Sequence, residues 1–289
     1  MRKLGIINPA AGQGDAAKYV NTVITDGLYV TKCIGDAESF VCSECMRDPH
    51  THFFIYGGDG TVNEAVNGIM RAGANESALI SVIPVGTGND LVRSFGKSNI
   101  VHNVDVMRYN GRYAINVINF GFDCDTVKRA GVLKTKPLIS GSTAYILGAA
   151  ASLASSYGMH LKLQYTLENG EKETAEGDYL LCTAANCRFY GGGFLPAPTA
   201  DCSDGIMDVT AVKKISRRRF ASLVLDYKAG RHVDMQTGRP TERFKDVMDV
   251  RRCRSFRAEG MRDICVDGEI VLTEKVEIDM PGEQIRIMI

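Results

Sequence analysis

The sequence predicts an α/β domain built to hold phosphate, followed by an antiparallel all-β domain. Three observations predict it. Short apolar runs alternate with helical periods up to about residue 120, and each of three glycine-rich stretches follows such a run. From about residue 105 onward, hairpin signals replace that rhythm.

In order, strand patterns over 4–7, 28–33, 52–56 and 79–84 alternate with helical patterns over 16–25, 37–47 and 61–72, and a short helix starts at Asn89. Four strand–loop–helix repeats predict a mostly parallel sheet with right-handed crossovers. Ligands of such sheets bind beyond the carboxyl ends of the strands, where the glycine stretches fall. In the second half, strand patterns over 104–109 and 112–118 flank the turn signal Asn110-Gly111, and those over 165–167 and 174–183 flank Asn169-Gly170. Helices are expected over 143–155 and from the N-cap Ser216 to 228, and strands over 244–256, 263–266, 276–279 and 285–289. These strands read as a sandwich. With no long linker, the two parts are expected to pack tightly around a cleft.

Composition excludes several classes. Apolar residues make up 45% and charged residues 24%, as in an ordinary globular protein and unlike a disordered or fibrous one. The 34 basic and 34 acidic side chains balance, so no global field draws the chain to nucleic acid. After Met1-Arg2-Lys3 the apolar run is too short for an export signal, and the smooth apolar stretch 144–154 is half the ~20 residues of a spanning helix. A cytoplasmic protein, at most peripheral to a membrane, is expected. Nine scattered cysteines then read as reduced thiols. Cys42, Cys45, His50 and His52 can be written as a zinc set, but 39–47 reads as an amphipathic helix and His52 as strand, which favours core cysteines.

The three glycine stretches are Asn8-Pro9-Ala10-Ala11-Gly12-Gln13-Gly14, Gly57-Gly58-Asp59-Gly60-Thr61-Val62-Asn63-Glu64 and Gly86-Thr87-Gly88-Asn89-Asp90. Glycine lets backbone N–H groups approach an anion, and a helix starting just after the loop adds the positive end of its dipole. Three such loops suit a nucleotide polyphosphate, and Asp59 and Asp90 suit magnesium or its waters. Each loop alone is equally a tight turn, and Asp90 equally a helix-start residue. No Gly-Lys-Ser/Thr follows the first loop, so it is not a Walker loop.

Together with Asn67-Gly68, Asn119-Phe120-Gly121-Phe122-Asp123, Gly191-Gly192-Gly193, Pro196, Pro198, Ala200, Asp204-Gly205 and Asp267-Gly268-Glu269, these motifs span nearly the whole chain. In that order they resemble the diacylglycerol kinase and sphingosine kinase superfamily, in particular its bacterial lipid kinases. The resemblance implies a phosphofructokinase-like, three-layer nucleotide domain over 1–122 and a β-sandwich lipid domain over 123–289, with the strand near 285–289 a candidate to return to the first. It implies ATP- and Mg2+-dependent phosphorylation of a lipid hydroxyl, on diacylglycerol or a related long-chain alcohol, at the inner membrane face, with a homodimer as a further expectation.

By matching position, Asn8, Gly12, Thr31, Gly57, Gly58, Asp59, Gly60, Thr61, Val62, Asn63, Glu64, Gly86, Thr87, Asn89 and Asp90 would bind ATP. Asp59, Asp90, Asp123 and Asp267 would form a carboxylate network around catalytic magnesium, and Glu269 would accept the hydroxyl proton. Residues i and i+2 of an extended segment face one side, which would let Asp267 and Glu269 serve one cleft; composition alone reads Asp267-Gly268-Glu269 as an exposed hairpin turn. Asp204, with backbone oxygens of Asp201 and Ile206, would hold a structural magnesium ion; otherwise Asp204-Gly205 is a plain turn. Gln13 and Asp15 stand where relatives often carry lysine, leaving Lys128, Arg129, Lys134 or Lys136 as substitutes.

Two other readings compete. NAD kinases also use Gly-Gly-Asp-Gly-Thr, and Gly141-Ser142-Thr143-Ala144-Tyr145 looks like their second signature; a non-catalytic lipid-sensing module would be expected to lose the carboxylates that are present here. Lys213, Lys214, Arg217, Arg218 and Arg219 form a basic cluster suited to an anionic membrane, or to a solvated helix start.

Overall fold

The computed structural model of the chain describes residues 1–11, 25–85, 90–96, 100–134, 147–148, 151–152 and 158–289. Two compact units emerge: Met1–Ile115 with Pro281–Ile289, and Asn116–Met280. The helix expected over 16–25 falls almost wholly outside the described residues, and that over 143–155 largely so.

In the first unit a six-stranded sheet runs in the order β2 (Gly27–Val30), β1 (Lys3–Ile7), β3 (His52–Gly57), β4 (Leu79–Pro84), β16 (Gln284–Met288), β5 (Val101–Asp105). All neighbours are parallel except β16 and β5. Every residue of β3 is buried, as a central parallel strand covered on both faces requires. The C-terminal strand lies in this sheet, with Gln284 donating to the Asp105 carboxylate at 2.9 Å.

Helix α1 (Asp36–Arg47) packs on α2 (Asp59–Arg71). Their approach is set by Gly68, where an added Cβ would lie 2.6 Å from the Glu38 carbonyl oxygen and 2.9 Å from Val41 Cβ. Cys42 and Cys45 are buried on α1, and burial pushes the Cys45 thiol up to about 12. His52 instead shares a 2.8 Å hydrogen bond with Ser81, its buried ring held neutral by a pKa lowered to about 4. The hairpin β6 (Met107–Tyr109) and β7 (Arg112–Ala114) turns on Asn110 and Gly111, both at positive φ, as the dipeptide predicts.

The second unit is an antiparallel sheet ordered β14 (Glu269–Leu272), β13 (Asp263–Val266), β8 (Val117–Gly121), β10 (Lys172–Ala185), β11 (Met207–Lys213), β12 (Met248–Glu259), β15 (Lys275–Asp279). Strand β9 (Met159–Leu167) pairs with both β10 and β12, so the sheet folds back on itself. Register shifts at Tyr179/Leu181 and Cys253/Ser255 let the two long strands turn that corner. The result is a β-sandwich around Phe120, Tyr165 and Phe256. A second apolar layer sets Leu223 and Tyr227 of α5 (Arg217–Lys228) against Leu181, Val212 and Met248.

Four expectations change. The boundary falls at Ile115/Asn116 rather than after 122, because β8 already pairs with β10 and β13. Phe122–Lys134 is a helix, α4, where no helix was expected. Asn169-Gly170 closes a three-residue loop with only Gly170 at positive φ, not a two-residue turn. Residues 244–247 form turns, and the strand starts at Met248.

Replacing Gly68 with alanine tests the helix contact. Overpacking costs about 1–3 kcal/mol, against the ~1 kcal/mol that alanine gains in a helix interior. Urea unfolding is expected to show a net loss of stability; a variant as stable as the parent would refute the close approach.

Candidate functional site

Strands β1, β3 and β4 end level on one edge of the sheet, with Ile7 opposite Tyr56 and Gly57 opposite Pro84. The loops they feed are stitched together. Asn8 Nδ2 donates to Thr61 Oγ1 at 3.0 Å, and the Asp90 N–H donates to Asp59 Oδ2 at 3.3 Å. Thr31 is buried at the same edge, its N–H on the Ile7 carbonyl at 2.9 Å. Helix α2 begins here on Gly58 with no capping side chain, so the positive end of its dipole lies at this edge, where it favours an anion. Gly57 has a steric reason to be glycine: a Cβ would sit 2.7 Å from the Thr61 side chain. Asp90 is buried and bound by Arg93 at 2.7 Å, a cation that the i,i+3 spacing on α3 (Asp90–Phe95) signals but the sequence reading missed. Gly12, Gly86, Thr87 and Asn89 lie outside the described residues, as do Lys136 and residues 141–145.

Three residues expected to bind ATP have their side chains engaged elsewhere. Val62 is a core residue of α2. Asn63 donates to the Tyr113 carbonyl at 3.0 Å, beside Asn67, whose amide meets both the C=O and the N–H of Tyr113 as a strand partner would. The Glu64 carboxylate accepts from Gly35 N at 2.9 Å and Ala37 N at 3.1 Å, capping α1, whose own N-cap residue offers no side chain. The second half of the glycine motif therefore builds the unit.

In the second unit, Asp123 enters the first turn of α4 and is buried. Tyr190 donates its hydroxyl to Asp123 Oδ2 and stands 3.3 Å from the Tyr227 hydroxyl. Burial pushes the Asp123 carboxyl up to about 6, against the pull of that hydrogen bond. Neither tyrosine had been singled out. Asp267 and Glu269 do not share an extended segment: Asp267 and Gly268, at φ 46° and 94°, form the tight turn between β13 and β14. Asp267 is buried and its Oδ1 accepts from Asn116 N at 3.0 Å and Val117 N at 2.8 Å, pinning the turn to the start of β8; Glu269 is exposed. Lys128, one proposed substitute for the missing lysine, is paired to Asp263.

The loop at Asp204 is closed by its own side chains. Asp204 Oδ1 accepts from Ile206 N at 3.0 Å and Oδ2 from Arg252 at 2.6 Å, while Asp201 Oδ1 accepts from Ser203. Arg252 thus supplies positive charge where a structural cation was expected. Among the described residues no group of three or more His, Cys, Asp or Glu side chains stands close enough to hold a metal ion. The contact between Asp59 and Asp90 runs from the Asp90 main-chain N–H to the Asp59 carboxylate; magnesium keeps most of its water and takes one or two carboxylates plus phosphate oxygens, a set to which these two side chains would contribute.

Two family models match. The diacylglycerol kinase catalytic domain covers residues 3–119 and the YegS C-terminal NAD kinase beta sandwich-like domain residues 116–284. A Bacillus subtilis diacylglycerol kinase is 25% identical over 302 residues, spanning 96% of each chain. A Mycobacterium tuberculosis diacylglycerol kinase is 28% identical over 256 residues, 80% of this chain and 79% of that one. A Shewanella frigidimarina protein named "Probable lipid kinase YegS-like" is 30% identical over 187 residues, 60% of this chain and 58% of its own length. A crystal structure of a Bacillus anthracis diacylglycerol kinase superposes with a TM-score of 0.68 over 99% of this chain and 96% of that one, at 23% identity, which speaks for the fold.

The Glu64 assignment has a direct test. Glu64→Ala removes the cap of α1 and is expected to cost about 1–2 kcal/mol in chemical unfolding while leaving nucleotide affinity within about twofold. A large loss of ATP binding at unchanged stability would restore it as a ligand.

Proposed function

The chain belongs to the family of bacterial diacylglycerol-kinase-like lipid kinases, and on that premise we propose that it transfers the γ-phosphoryl group of ATP, with Mg2+, to the hydroxyl of diacylglycerol or a related long-chain alcohol. The observation that carries this reading is the stitched edge of the first unit, where Asn8–Thr61 and Asp59–Asp90 bring the glycine loops to the uncapped start of α2. Backbone donors, a helix dipole and two carboxylates are what phosphoryl transfer needs, since its catalysis is mostly positioning and charge neutralisation. Magnesium, when bound, would supply the neutralising charge, with Asp59 and Asp90 as its carboxylates. Glu269, exposed at the first residue of β14, is the proton acceptor for the lipid hydroxyl in this reading.

Labelled-ATP assays against diacylglycerol, ceramide, sphingosine, undecaprenol and NAD identify the acceptor. Phosphorylation of NAD alone would favour the NAD kinase reading, and silence on all five a sensing module. Glu269→Gln is expected to lower kcat about 100- to 10,000-fold with ATP KM little changed; full activity would remove Glu269 from the mechanism.

A membrane partner follows from the same reading. No helix among the described residues is long and apolar enough to cross a membrane, so contact with lipid rests on the surface. Helix α5 opens with exposed Arg217, Arg218 and Arg219, against its own dipole and with no acidic residue in the first turn, and Leu225, about two turns beyond Arg218, is 70% exposed. Among the described residues Arg218 and Arg219 have no ion-pair partner, and Lys213 and Lys214 only loose ones at 3.8 and 3.9 Å. Exposed cations that oppose the helix dipole, as Arg218 and Arg219 do, suit an anionic bilayer. Arg218→Glu with Arg219→Glu improves the dipole, so the fold is expected to hold; binding to vesicles containing phosphatidylglycerol is expected to weaken about thirtyfold or more, at ~1 kcal/mol per basic group. Unchanged vesicle binding would sink the docking face.

A further inference from the structure

Two residues at the stitched edge of the first unit form a hydrogen bond whose direction is fixed by chemistry. Asn8 closes its own turn: its Oδ1 accepts from the Ala10 N–H at 3.0 Å, its backbone N–H donates to the Tyr56 carbonyl at 3.1 Å, and its C=O accepts from Ala11 N at 3.0 Å. A backbone N–H can only donate, so the end of the amide facing Ala10 is the oxygen and the end facing Thr61 is the nitrogen. Thr61 Oγ1 therefore accepts from Asn8 Nδ2, at 3.0 Å, and its own proton has to go to another atom. A helical threonine commonly returns that proton to the carbonyl three or four residues back. Here, among the described residues, nothing accepts it, although Thr61 is only 6% exposed. A nearly buried donor with no acceptor is costly and uncommon, and it calls for a partner from outside the chain. Thr61 stands in the first turn of α2, over Gly57, where the positive end of the helix dipole favours an anion.

We propose that Asn8 is a positioning residue for the nucleotide: by occupying one lone pair of Thr61 Oγ1 it turns the hydroxyl proton outward, and Thr61 donates that proton to a phosphate oxygen of ATP. The inference rests on the reading of this edge as the ATP phosphate site, and every residue it uses lies in the first unit. A phosphate oxygen accepts hydrogen bonds, which is what the Thr61 hydroxyl still requires of a partner. The first two glycine loops then divide the work. The first supplies the orienting amide, braced by Ala10, and the second supplies the hydroxyl that reaches the ligand. Asn8 acts on the nucleotide through Thr61 and not as a ligand of its own.

The test is a double-mutant cycle on the full-length protein, with Mg2+–ATP titrated calorimetrically in the absence of lipid. Thr61→Val keeps the shape of the side chain and deletes the hydroxyl; it is expected to weaken ATP about tenfold, the worth of one hydrogen bond to a charged group. Asn8→Ala is expected to weaken ATP by about fivefold in the parent and by less than about twofold in the Thr61→Val background. Asn8→Asp keeps the acceptor for Ala10 but cannot donate, so Thr61 turns its proton onto the new carboxylate. Its loss of affinity is expected to be about fivefold or more larger in the parent than in the Thr61→Val background, where only the added charge acts, and this variant carries the cycle if Asn8→Ala does not fold. Two outcomes overturn the proposal: Asn8 variants that lose the same factor with and without the Thr61 hydroxyl, or a Thr61→Val protein that binds ATP as the parent does, which would assign the hydroxyl proton to water. A parent that binds ATP but phosphorylates none of the acceptors defeats the lipid-kinase reading instead, and the cycle still rules on Asn8. A parent that binds no ATP defeats both.

Discussion

The first unit hangs on one close contact between helices. Because Gly68 has no side chain, α2 lies directly on the backbone of α1, over the Glu38 carbonyl. From that seat the rest is geared. The Glu38 carboxylate binds Arg71 at the end of α2 and Arg112 on the β6–β7 hairpin, at 3.0 and 2.7 Å. Glu64 on α2 caps α1, and Asn63 and Asn67 hold the hairpin backbone. With α2 fixed along three lines, its first turn has no freedom left to drift from the ends of β1, β3 and β4. A phosphate site made mostly of backbone needs such rigidity, because N–H groups cannot re-aim as side chains can.

The carboxylates sort by what already occupies their oxygens. Asp267 spends Oδ1 on two backbone N–H groups and is a bracket between a turn and a strand. Asp204 spends one oxygen on its own turn and the other on Arg252. Asp59, Asp90 and Asp123 each have a partner that orients them, a backbone N–H, Arg93 and Tyr190 respectively. Glu269 is exposed at the head of an edge strand. A carboxylate whose oxygens are spent on a turn and a neighbouring strand, as in Asp267 and Asp204, marks architecture.

Much of this was legible in the sequence, and what was not has a physical reason. The parallel strands announce themselves because both faces are buried, so β1 and β3 are nearly continuous apolar runs. Asn110-Gly111 announces its turn because both residues tolerate positive φ. Helix α4 stays hidden because its charged residues Asp123, Asp125, Lys128 and Arg129 fall on no clean face and its first turn follows a strand without an N-cap signal. Asp267-Gly268 carries a turn signal as strong as Asn110-Gly111, yet burial of the aspartate depends on Asn116 and Val117, some 150 residues away in the chain. No local pattern encodes a partner at that distance.

The same reasoning limits what a signature motif can mean. In Gly57-Gly58-Asp59-Gly60-Thr61-Val62-Asn63-Glu64 the residues alternate between two duties that sequence proximity makes look like one. The first half, with the loop glycines, Asp59 and Thr61, faces the strand ends; the second half turns with the helix, and at 100° per residue Val62, Asn63 and Glu64 reach the core, the hairpin and α1 in succession. A contiguous motif that enters a helix cannot present every side chain to one ligand. Of eight consecutive residues, helical geometry leaves the first turn for chemistry and commits the remainder to holding that turn in place.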